Sequence, residues 1–503
     1  MLRPWTFNLS ERIDARRGAP LYLQIVHAFI HEIERGRLVP GAPLPSSREL
    51  AATLGVNRKT IVLAYDDLVA QGWLSTDRTR GTFISTQLPE TRPAESGARA
   101  DARSAEFAFH AAPEPRLVFA GQDRIVLDDG LPDPRLFSID TLLHAHREAG
   151  QRAARAGGLG YGDPRGALDL RRMIADMLAT HRGVVVDADE ICVTRGSQMG
   201  IFLAARILLS PGDAVLVEGL SYAAARDAFA AAGAEVIGVG LDADGLVVED
   251  VERECARRAV RAVYVTPHHQ FPTTVSLTPE RRLKLLQLAA EHGFAVIEDD
   301  YDHEFHFERQ PLLPMASYAP GRTIYIGSMS KLLLPGLRVG YIAAPQEVAR
   351  AMANVAATID RQGNALTELA VAELIRSGEL RRHVRKARQI YARRRDAFGA
   401  ALRAAFGDLV DFSVPDGGLA YWARFRDEAT LDALEANAAR NGLRMLPSTC
   451  FAAPPQTGRG LRLGYGSLDE AEAARAIRRL ADAALRGSES TPKLDEAMAR
   501  RHI

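Results

Sequence analysis

The sequence predicts an α/β protein with two folded units: a small N-terminal unit of helices and a hairpin, and a large unit on a mostly parallel sheet. The boundary is indicated by residues 87–106 (QLPETRPAESGARADARSAE), which show linker composition and little apolar periodicity. The sheet is indicated by short apolar runs that alternate with longer helical patterns between about residues 190 and 345. We therefore expect folded units at 1–86 and 116–485, a flexible linker at 87–115 and a loose tail at 486–503.

Composition excludes several classes of protein. The 503 residues carry 63 Lys+Arg and 63 Asp+Glu, a formal net charge of zero, which argues against a uniformly basic nucleic-acid binder but allows local patches. No apolar run is long enough for a bilayer and no signal-peptide pattern is present, so we expect a cytoplasmic protein with no membrane partner. Cys192, Cys255 and Cys450 show no metal-ligand spacing, which predicts reduced thiols and no metal.

The N-terminal unit shows the pattern of two short helices around a tight turn. A serine at 46–47 caps the first of these two helices, and the turn at 55–57 leads into the second. Another helix, at 21–36, precedes both. Strands at 73–75 and 81–85 then form a hairpin. The predicted buried positions are Ile25, Phe29, Ile33, Ile61, Ala64 or Tyr65, and Leu68. This order of elements indicates a winged helix-turn-helix.

The polar residues of this unit suit DNA in two ways. Arginines on the helices and at the hairpin tip suit phosphates, whereas residues that open the last helix suit base edges in the major groove. The candidates are Arg48, Arg78 and Arg80 for phosphates, and Asn57, Arg58, Lys59 and Thr60 at the helix N-terminus. The alternative is an ordinary solvated helix face, which the joint presence of turn, cap and wing disfavours. Because acidic neighbours weaken the net field, we expect two copies per oligomer to bind together.

Lys331 is the most informative residue of the large unit. Only five of the 63 Lys+Arg residues are lysines, which leaves 63 − 5 = 58 arginines. Lys331 follows the apolar run 323–326 in a turn with serine and glycine neighbours. A primary amine there can form an imine with an aldehyde, whereas a guanidinium cannot. In parallel sheets, ligands collect beyond the carboxyl ends of the strands, where Lys331 is expected.

Other predicted strand ends supply what pyridoxal 5′-phosphate needs besides an amine. Gly196, Ser197 and Gln198 follow the strand at 191–194 and open a helix whose N–H groups suit a phosphate dianion. A carboxylate at 298–300 would keep the ring nitrogen protonated. The further candidates are Ser328 and Arg338 for the phosphate, Tyr301 for the phenolic oxygen and Tyr222 for the ring face. Taken singly, such residues are more often structural, but their combination favours a cofactor site.

Two stretches of the chain resemble known families. Residues 20–86 resemble a GntR-type winged helix in the motifs 44–51 (LPSSRELA) and 81–83 (GTF). Residues from about 120 to 485 resemble a class I/II aminotransferase of fold type I, which has a large domain and a smaller α+β domain. The whole chain is similar to the MocR subgroup of GntR regulators. The aminotransferase motifs are 160–166 (GYGDPRG), 194–198 (TRGSQ), 269–273 (HQFPT), 298–302 (EDDYD), 330–338 (SKLLLPGLR) and 461–464 (LRLG).

The resemblance implies roles for particular residues. Lys331 would form the internal aldimine with pyridoxal phosphate, and Asp299 would face the ring nitrogen. Arg462 would grip the carboxylate of an amino-acid effector, although an isolated arginine is also explained by surface ion pairing. Tyr161 would reach the phosphate of the neighbouring subunit's cofactor in a homodimer. The implied function is a regulator that binds a double-stranded DNA operator and senses pyridoxal phosphate, or an amino compound as external aldimine.

Two alternatives stay open at this level. One is a working aminotransferase whose DNA-binding unit controls its own gene, since the catalytic set is complete in residue type. The other, a DNA-binding protein with an inactive cofactor fold, fits poorly for the same reason. The chain also departs from the family at two places near the expected ring. Residues 218–222 (EGLSY) stand where Asp-Pro-Gly-Tyr is usual, and Thr274 stands where a glycine usually follows Pro-Thr.

Overall fold

The computed structural model describes residues 13, 19–77, 79–89, 124–127, 130–307, 311–329, 331–456 and 458–485. The chain divides into two compact units, residues 1–112 and 113–503. The predicted linker, apart from 87–89, and the predicted tail lie outside the described residues, as does Arg78. Among the helices of the described ranges, none is both long and apolar enough to span a membrane.

The N-terminal unit contains three helices and an antiparallel hairpin. The helices are α1 (Leu21–Glu34), α2 (Ser47–Leu54) and α3 (Arg58–Ala70), and the strands are β1 (Leu74–Asp77) and β2 (Gly81–Ile84). Every predicted core position is buried, including both Ala64 and Tyr65, so the expected buried face of α3 is confirmed. Mutual burial of these apolar side chains is the main stabilising contribution in so small a unit.

Local hydrogen bonds define the turn between α2 and α3. The Ser46 hydroxyl accepts from the Glu49 N–H at 3.3 Å and caps α2. Gly55 ends that helix at φ 65°, in the left-handed region that glycine adopts without steric cost. The Asn57 side chain then accepts from the Lys59 N–H at 2.9 Å and starts α3. The predicted tight turn is confirmed, and it leaves the first residues of α3 exposed.

The large unit is built on a mostly parallel seven-stranded sheet. The strands of this unit are β3 (Ile125–Val126), β4 (Ile191–Thr194), β5 (Ala214–Glu218), β6 (Glu235–Val239), β7 (Leu241–Asp242), β8 (Gly245–Leu246), β9 (Val260–Val265), β10 (Ala295–Asp300), β11 (Thr323–Ser328), β12 (Gly340–Ala343), β13 (Val410–Asp411), β14 (Ala420–Phe425), β15 (Leu443–Arg444) and β16 (Leu461–Gly464). The large sheet has the order β4–β12–β11–β10–β9–β5–β6. Only β12 runs antiparallel to its neighbours in this sheet.

The five strands that the sequence predicts in this sheet are present, and two further strands are not predicted by its pattern. β6 begins with Glu235 and contains Gly238 at the edge of the sheet, and β12 is short and begins with Gly340. The glutamate and the glycines weaken the apolar pattern that marks a buried strand. β10 extends through its three acidic residues, so the acids lie within the strand and do not follow it.

Helices cover both faces of the sheet. They are α4 (Ile139–Arg155), α5 (Leu168–Arg182), α6 (Ser197–Leu208), α7 (Ala223–Ala231), α8 (Val248–Arg257), α9 (Pro279–His292), α10 (Gln346–Asp360) and α11 (Ala365–Arg376). Neighbouring residues of one strand belong to different core clusters: Tyr325 packs with α4, α5 and α11, whereas Ile326 packs with α6, α7 and α10. This alternation explains why the strands are apolar throughout.

A smaller α+β part completes the large unit, as the fold class predicts. Its antiparallel sheet has the order β13–β14–β16, and its helices are α12 (Glu379–Phe406), α13 (Glu428–Ala438) and α14 (Glu470–Leu485). Their shared core includes Phe398, Tyr421 and Leu463. In the register of β14 and β16, Trp422 lies opposite Arg462. Residues that follow the parallel strands β4, β5, β9, β10 and β11 meet at one edge of the large sheet, where the candidate site is found.

Candidate functional site

Asp299 is an almost fully buried acid near the end of β10. Its Oδ2 accepts a hydrogen bond from the Tyr264 hydroxyl of the neighbouring strand β9 at 2.8 Å. Its Oδ1 is buried and has no hydrogen-bond partner among the described residues. Burial raises the pKa of Asp299 to about 7, and the Tyr264 hydrogen bond and the Lys331 charge act in the opposite direction. A buried carboxyl oxygen without a partner indicates a donor from outside the chain.

Lys331 lies just beyond β11, the strand next to β10. Its half-buried side chain donates a hydrogen bond from Nζ to the Gly130 carbonyl at 3.3 Å. Its charge also acts on the Asp299 carboxyl. Ser328, at the end of β11, is buried. The structure therefore brings the predicted amine and the predicted acid into one site.

The N-terminus of α6 and Arg338 form a polar cradle. Because α6 begins at Ser197, its first N–H groups have no carbonyl partner within the helix. Gly196 has φ 80°, and a Cβ at this position would lie 2.9–3.1 Å from the Arg338 guanidinium, so glycine is what allows this approach. Arg338 donates from Nη2 to the Arg195 carbonyl at 2.7 Å. A helix N-terminus beside a guanidinium suits a phosphate dianion.

Gln198, also predicted for the phosphate, is partly committed elsewhere. Its Nε2 donates to the Ala224 carbonyl at 2.8 Å, while its buried Oε1 has no hydrogen-bond partner in the described part of the chain. The amide thus joins the start of α6 to the start of α7. The first N–H groups of α6, together with Arg338, are the better-placed donors for an anion.

Arg462 and three aromatic residues pack together at the other side of the site. The Arg462 guanidinium lies 4.5 Å from the Phe271 ring centroid and donates to the Tyr301 hydroxyl at 3.3 Å. Tyr301 in turn donates to the His269 carbonyl at 2.8 Å. Tyr222 meets the edge of Phe271 with ring centroids 5.1 Å apart. Arg462 is only 2% exposed, so the alternative that it is a surface ion-pairing residue is wrong.

Tyr161 differs from the other predicted cofactor residues because it is 79% exposed. Its ring lies under the Arg361 guanidinium, 4.1 Å from that group to the ring centroid. An aromatic residue this exposed is available to a second molecule. Its predicted contact across subunits stays a prediction.

The residues present fit pyridoxal phosphate. Asp299 Oδ1 is buried and has no hydrogen-bond partner within the ranges that the structure describes. A protonated pyridine nitrogen would supply both the missing donor and a charge that lowers the pKa of this acid. The close approach of Arg338 to Gly196 provides an anion cradle at a helix N-terminus. The Lys331 amine provides the nucleophile that the aldehyde requires.

The predicted DNA-contacting residues lie on the first turn of α3 and nearby surfaces of the N-terminal unit. Arg48, Asn57, Arg58 and Lys59 are exposed, and Thr60 is half-buried. Arg80 is exposed beyond β1 and pairs with Asp77 at 3.4 Å, while Arg78 lies outside the described residues. Arg58 Nε lies 3.4 Å from the Ser47 hydroxyl, which joins the starts of α2 and α3. The exposed residues at the start of α3 form a polar surface, which a helix-turn-helix would place in the major groove of DNA.

Two residues of the cofactor site are not singled out by sequence reasoning. Tyr264, the donor to Asp299, is the one polar side chain in the apolar run 262–265, and a buried phenol needs a hydrogen-bond partner. That requirement was a usable signal. Gly130, whose carbonyl accepts from Lys331, lies 201 residues away in sequence and has no local signal at all.

Thr274 occupies a backbone conformation that favours glycine. Its φ is 64°, and its N–H donates to the Gln270 carbonyl at 2.7 Å, which closes the loop after Phe271. The left-handed region costs an L-residue about 1–2 kcal/mol. Thr274 thus bears strain in a conformation that a glycine would adopt without it.

We expect Thr274→Gly to be more stable than Thr274→Ala by about 1 kcal/mol, because both remove the side chain but only glycine tolerates this φ. Urea unfolding of the two variants measures the difference. At neighbouring Val275, which lies outside the left-handed region, the order should reverse, with alanine the more stable. Equal stability of the two Thr274 variants would show that the loop is not strained.

Glu218, at the end of β5, is a second buried acid. Its Oε2 accepts from the Thr266 hydroxyl at 2.8 Å and from the Gln270 amide at 3.0 Å. Burial raises the pKa of Glu218 to about 7, although these hydrogen bonds act in the opposite direction. The folded chain therefore holds a proton here that the unfolded chain releases above pH about 4.5. Glu218 therefore contributes to the free energy of unfolding in full below pH about 4.5, and this contribution is lost as the pH rises through about 7.

We therefore expect cofactor-free wild-type protein to lose more unfolding free energy between pH 5 and pH 8 than the Glu218→Gln variant. A glutamine keeps the acceptor oxygen but does not titrate, and linkage limits the slope per group to about 1.4 kcal/mol per pH unit. Urea unfolding at both pH values measures the effect, with exposed Glu291→Gln as the control that should match the wild type. An equal loss in Glu218→Gln and wild type would contradict the raised pKa.

Each of the two units matches a known protein family. The family model of class I and II aminotransferases matches residues 132–480, and that of the bacterial regulatory proteins of the gntR family matches residues 21–84. The probable rhizopine catabolism regulatory protein MocR of Rhizobium meliloti is 31% identical over 97% of this chain and 98% of its own length. The HTH-type pyridoxine biosynthesis transcriptional regulator PdxR of Corynebacterium glutamicum is 32% identical over 92% of this chain and 96% of its own length.

Solved structures resemble the large unit. A kynurenine aminotransferase of Pyrococcus horikoshii, solved with PMP, shares 30% identity at a TM-score of 0.68 and covers 73% of this chain and 92% of its own. LysN, an α-aminoadipate aminotransferase of Thermus thermophilus solved with N-(5′-phosphopyridoxyl)-L-leucine, shares 28% identity at a TM-score of 0.67 and covers 73% and 93%.

Fold and site thus define a class of protein in which a winged helix-turn-helix is fused to an aminotransferase-type domain of fold type I. The chain belongs to the MocR-type regulators of the GntR family.

Proposed function

We propose that this chain regulates transcription by binding operator DNA through residues 1–86 and sensing a small molecule through residues 116–485. The signal is pyridoxal phosphate itself or an amino compound that reacts with it. One observation carries the proposal: the buried Asp299 Oδ1 has no hydrogen-bond partner among the described residues, and it lies in the same site as the Lys331 amine. An unpartnered buried acid costs stability, so its retention favours a working cofactor site over an inactive fold. A protein that acts on an operator works in the cytoplasm.

Each residue of the site would contact a different part of the cofactor. When bound, pyridoxal phosphate supplies an aldehyde that captures primary amines and a ring that withdraws electrons. Lys331 would hold it through the amine, Asp299 would accept from the ring nitrogen, and Tyr301 would bond the phenolic oxygen. The phosphate would be bound by Gly196, Ser197, Gln198, Ser328 and Arg338, and Tyr222 would cover the ring face.

Arg462 would bind the carboxylate of an amino-acid effector. Its guanidinium is held by the Pro272 carbonyl at 2.9 Å and by the Phe271 ring, while its buried Nε has no partner among the described residues. A fixed, partly unsatisfied guanidinium suits an incoming carboxylate better than a mobile one, because less side-chain entropy is lost on binding.

A homodimer would complete both functions. Tyr161, exposed in one chain, would reach the cofactor phosphate of a second copy. Two N-terminal units would bind two operator half-sites, and the second contact would strengthen the first. Binding of the small molecule would change operator affinity only through a difference in its affinity for two arrangements of the protein.

Operator binding tests the proposal directly. We expect the double variant Arg58→Ala/Lys59→Ala to bind a fragment of its own upstream region more weakly than wild type and with a smaller salt dependence, by about one unit of slope per lost phosphate contact. Arg35→Ala, an exposed arginine beyond the end of α1, is the matched control. Wild-type binding that is unaffected by pyridoxal phosphate and by every amino compound tried would overturn the sensing function.

The second candidate function is an active aminotransferase with an autoregulatory DNA-binding unit. It is favoured by the coexistence of Lys331 and Asp299 in one site and by the 30% identity to a kynurenine aminotransferase. Single-turnover and multiple-turnover assays with an amino donor and an oxo-acid separate the two functions. Rapid multiple turnover would make the enzyme the primary role, whereas ligand-dependent operator binding without turnover supports the regulator.

A further inference from the structure

On the opposite face of β10 lies a buried polar group that the cofactor site does not use. Successive side chains of a strand point to opposite faces, so Asp300 points away from the face that carries Asp299. Asp300 is 2% exposed and is surrounded by His268 and His303, which are 3% and 5% exposed. One ligand atom from each of these three residues lies within 4.8 Å of the others. No other trio of His, Cys, Asp or Glu in the described ranges meets this criterion.

The hydrogen bonding of His268 leaves the lone pair of its Nδ1 directed toward Asp300. Its Nε2 lies 2.6 Å from the Leu312 carbonyl oxygen, which can only accept, so Nε2 carries the proton. In the neutral ring, Nδ1 is then an acceptor, and it lies 3.4 Å from Asp300 Oδ1, another acceptor. Neither atom has a hydrogen-bond partner in the part of the chain that the structure describes. Two buried acceptors that face each other are unfavourable unless a metal ion or a shared proton lies between them.

His303 provides a third donor atom. Its Nδ1 lies 2.9 Å from Asp300 Oδ2 without forming a directed hydrogen bond among the described residues. Around a tetrahedral ion with bonds of about 2.0–2.1 Å, ligand atoms are about 3.4 Å apart. The separation of 3.4 Å matches that value, and the separation of 2.9 Å is shorter than it.

The surroundings of the trio are compatible with a bound metal ion. A metal-bound histidine usually donates its other ring N–H to a carbonyl or carboxylate, as His268 does to Leu312. Asp300 also accepts from the Tyr325 hydroxyl, which would fix the carboxylate. The nearest cation is Arg182, with Nη1 3.6 Å from Asp300 Oδ2, and its charge is offset by its ion pair with Glu304. The local charge therefore does not exclude a divalent ion.

We propose that His268 Nδ1, the Asp300 carboxylate and His303 Nδ1 bind a divalent transition-metal ion of the Zn²⁺ class. Two imidazole nitrogens and one carboxylate are the protein ligands of many zinc and iron(II) sites. The ion would tie the segment after β9 to the end of β10. His269, next to the ligand His268, accepts from Tyr301 through its carbonyl, so the site adjoins the cofactor pocket. The proposal does not depend on the regulatory function.

Metal binding is tested on full-length, tag-free, cofactor-free protein stripped with a chelator. Titration with Zn²⁺ in competition with a chromophoric chelator is expected to give one tightly bound ion per chain, and Mg²⁺ is expected not to compete. Asp300→Asn and His303→Gln should each weaken Zn²⁺ by at least about 100-fold, since even outer-shell losses cost 10–100-fold. His292→Gln, an exposed histidine at the end of α9, is the control that should leave the stoichiometry unchanged.

A rescue variant separates metal binding from a purely structural role. His303→Cys replaces one zinc ligand with another, so it should restore Zn²⁺ binding, and Zn²⁺ should raise its Tm as it raises that of wild type. A polar core that only needed His303 for packing would not recover in this way. Wild-type protein that binds no Zn²⁺, or whose binding survives both ligand substitutions, would overturn the proposal.

Discussion

Lys331→Ala protein is expected to purify without the visible absorbance of a bound pyridoxal cofactor, whereas we expect wild-type protein to be yellow. The amine beyond β11 is the group that can bond covalently to the aldehyde, and no other lysine follows a strand of the sheet in the described chain. The effect should be complete: borohydride reduction should fix cofactor to wild type and not to the variant. Absorbance spectra and intact mass before and after reduction measure it.

Lys331→Arg sharpens this experiment. It keeps the positive charge that acts on Asp299 but cannot form an imine, so it should also fail to fix the cofactor. Exposed Lys284→Ala, from α9 of the same unit, should behave as wild type. A colourless wild type would favour the inactive cofactor fold, and a Lys331→Ala variant that still fixes cofactor would show that another amine carries the bond.

Arg462→Met is expected to weaken binding of amino-acid effectors by about 10–150-fold, the equivalent of about 1.5–3 kcal/mol for hydrogen bonds to a charged group. Methionine preserves much of the volume against Phe271 while removing the donors. The corresponding decarboxylated amines should bind wild type and variant alike. Absorbance shifts of the cofactor-loaded proteins, titrated with each pair of compounds, measure the ratio.

The matched control is Arg424→Met, in the adjacent strand β14, whose side chain is exposed and pairs with Asp411 at 2.7 Å. It should leave both affinities unchanged. Equal weakening of acids and amines in Arg462→Met would point to general damage to the pocket. Unchanged affinity for both would remove Arg462 from the role of carboxylate ligand.

Local patterns predict much of this protein because the relevant physics acts over short sequence distances. The cap at Ser46, the left-handed Gly55 and the Asn57 cap specify the turn between α2 and α3 from neighbouring residues alone. Buried parallel strands require continuous apolar runs, and the five that the sequence shows are present. β6 and β12 are missed because Glu235 and Gly238 interrupt the apolar pattern of β6 and Gly340 begins β12, and these residue types are unfavourable in strands.

The candidate site is predictable in part for a similar reason. Strand ends of a parallel sheet converge, so residues at or just after the ends of β4, β10 and β11 are expected together once those strands are recognised. Distance in sequence limits the rest. Tyr264 lies 35 residues from Asp299, and the Gly130 carbonyl lies 201 residues from Lys331. No pattern within either segment specifies which strands will be neighbours.

By itself the sequence determined the two-unit architecture, the helix-turn-helix, and the residue types of the cofactor site, because these depend on periodicity, caps and motifs that are local. Only the tertiary structure decided that Arg462 is buried and that Thr274 has a left-handed backbone conformation. It alone also showed that one oxygen of Asp299 has no hydrogen-bond partner in the described part of the chain. The tertiary structure also brings His268, Asp300 and His303 close together. The physical reason is that burial and lone-pair direction depend on neighbours brought from distant segments.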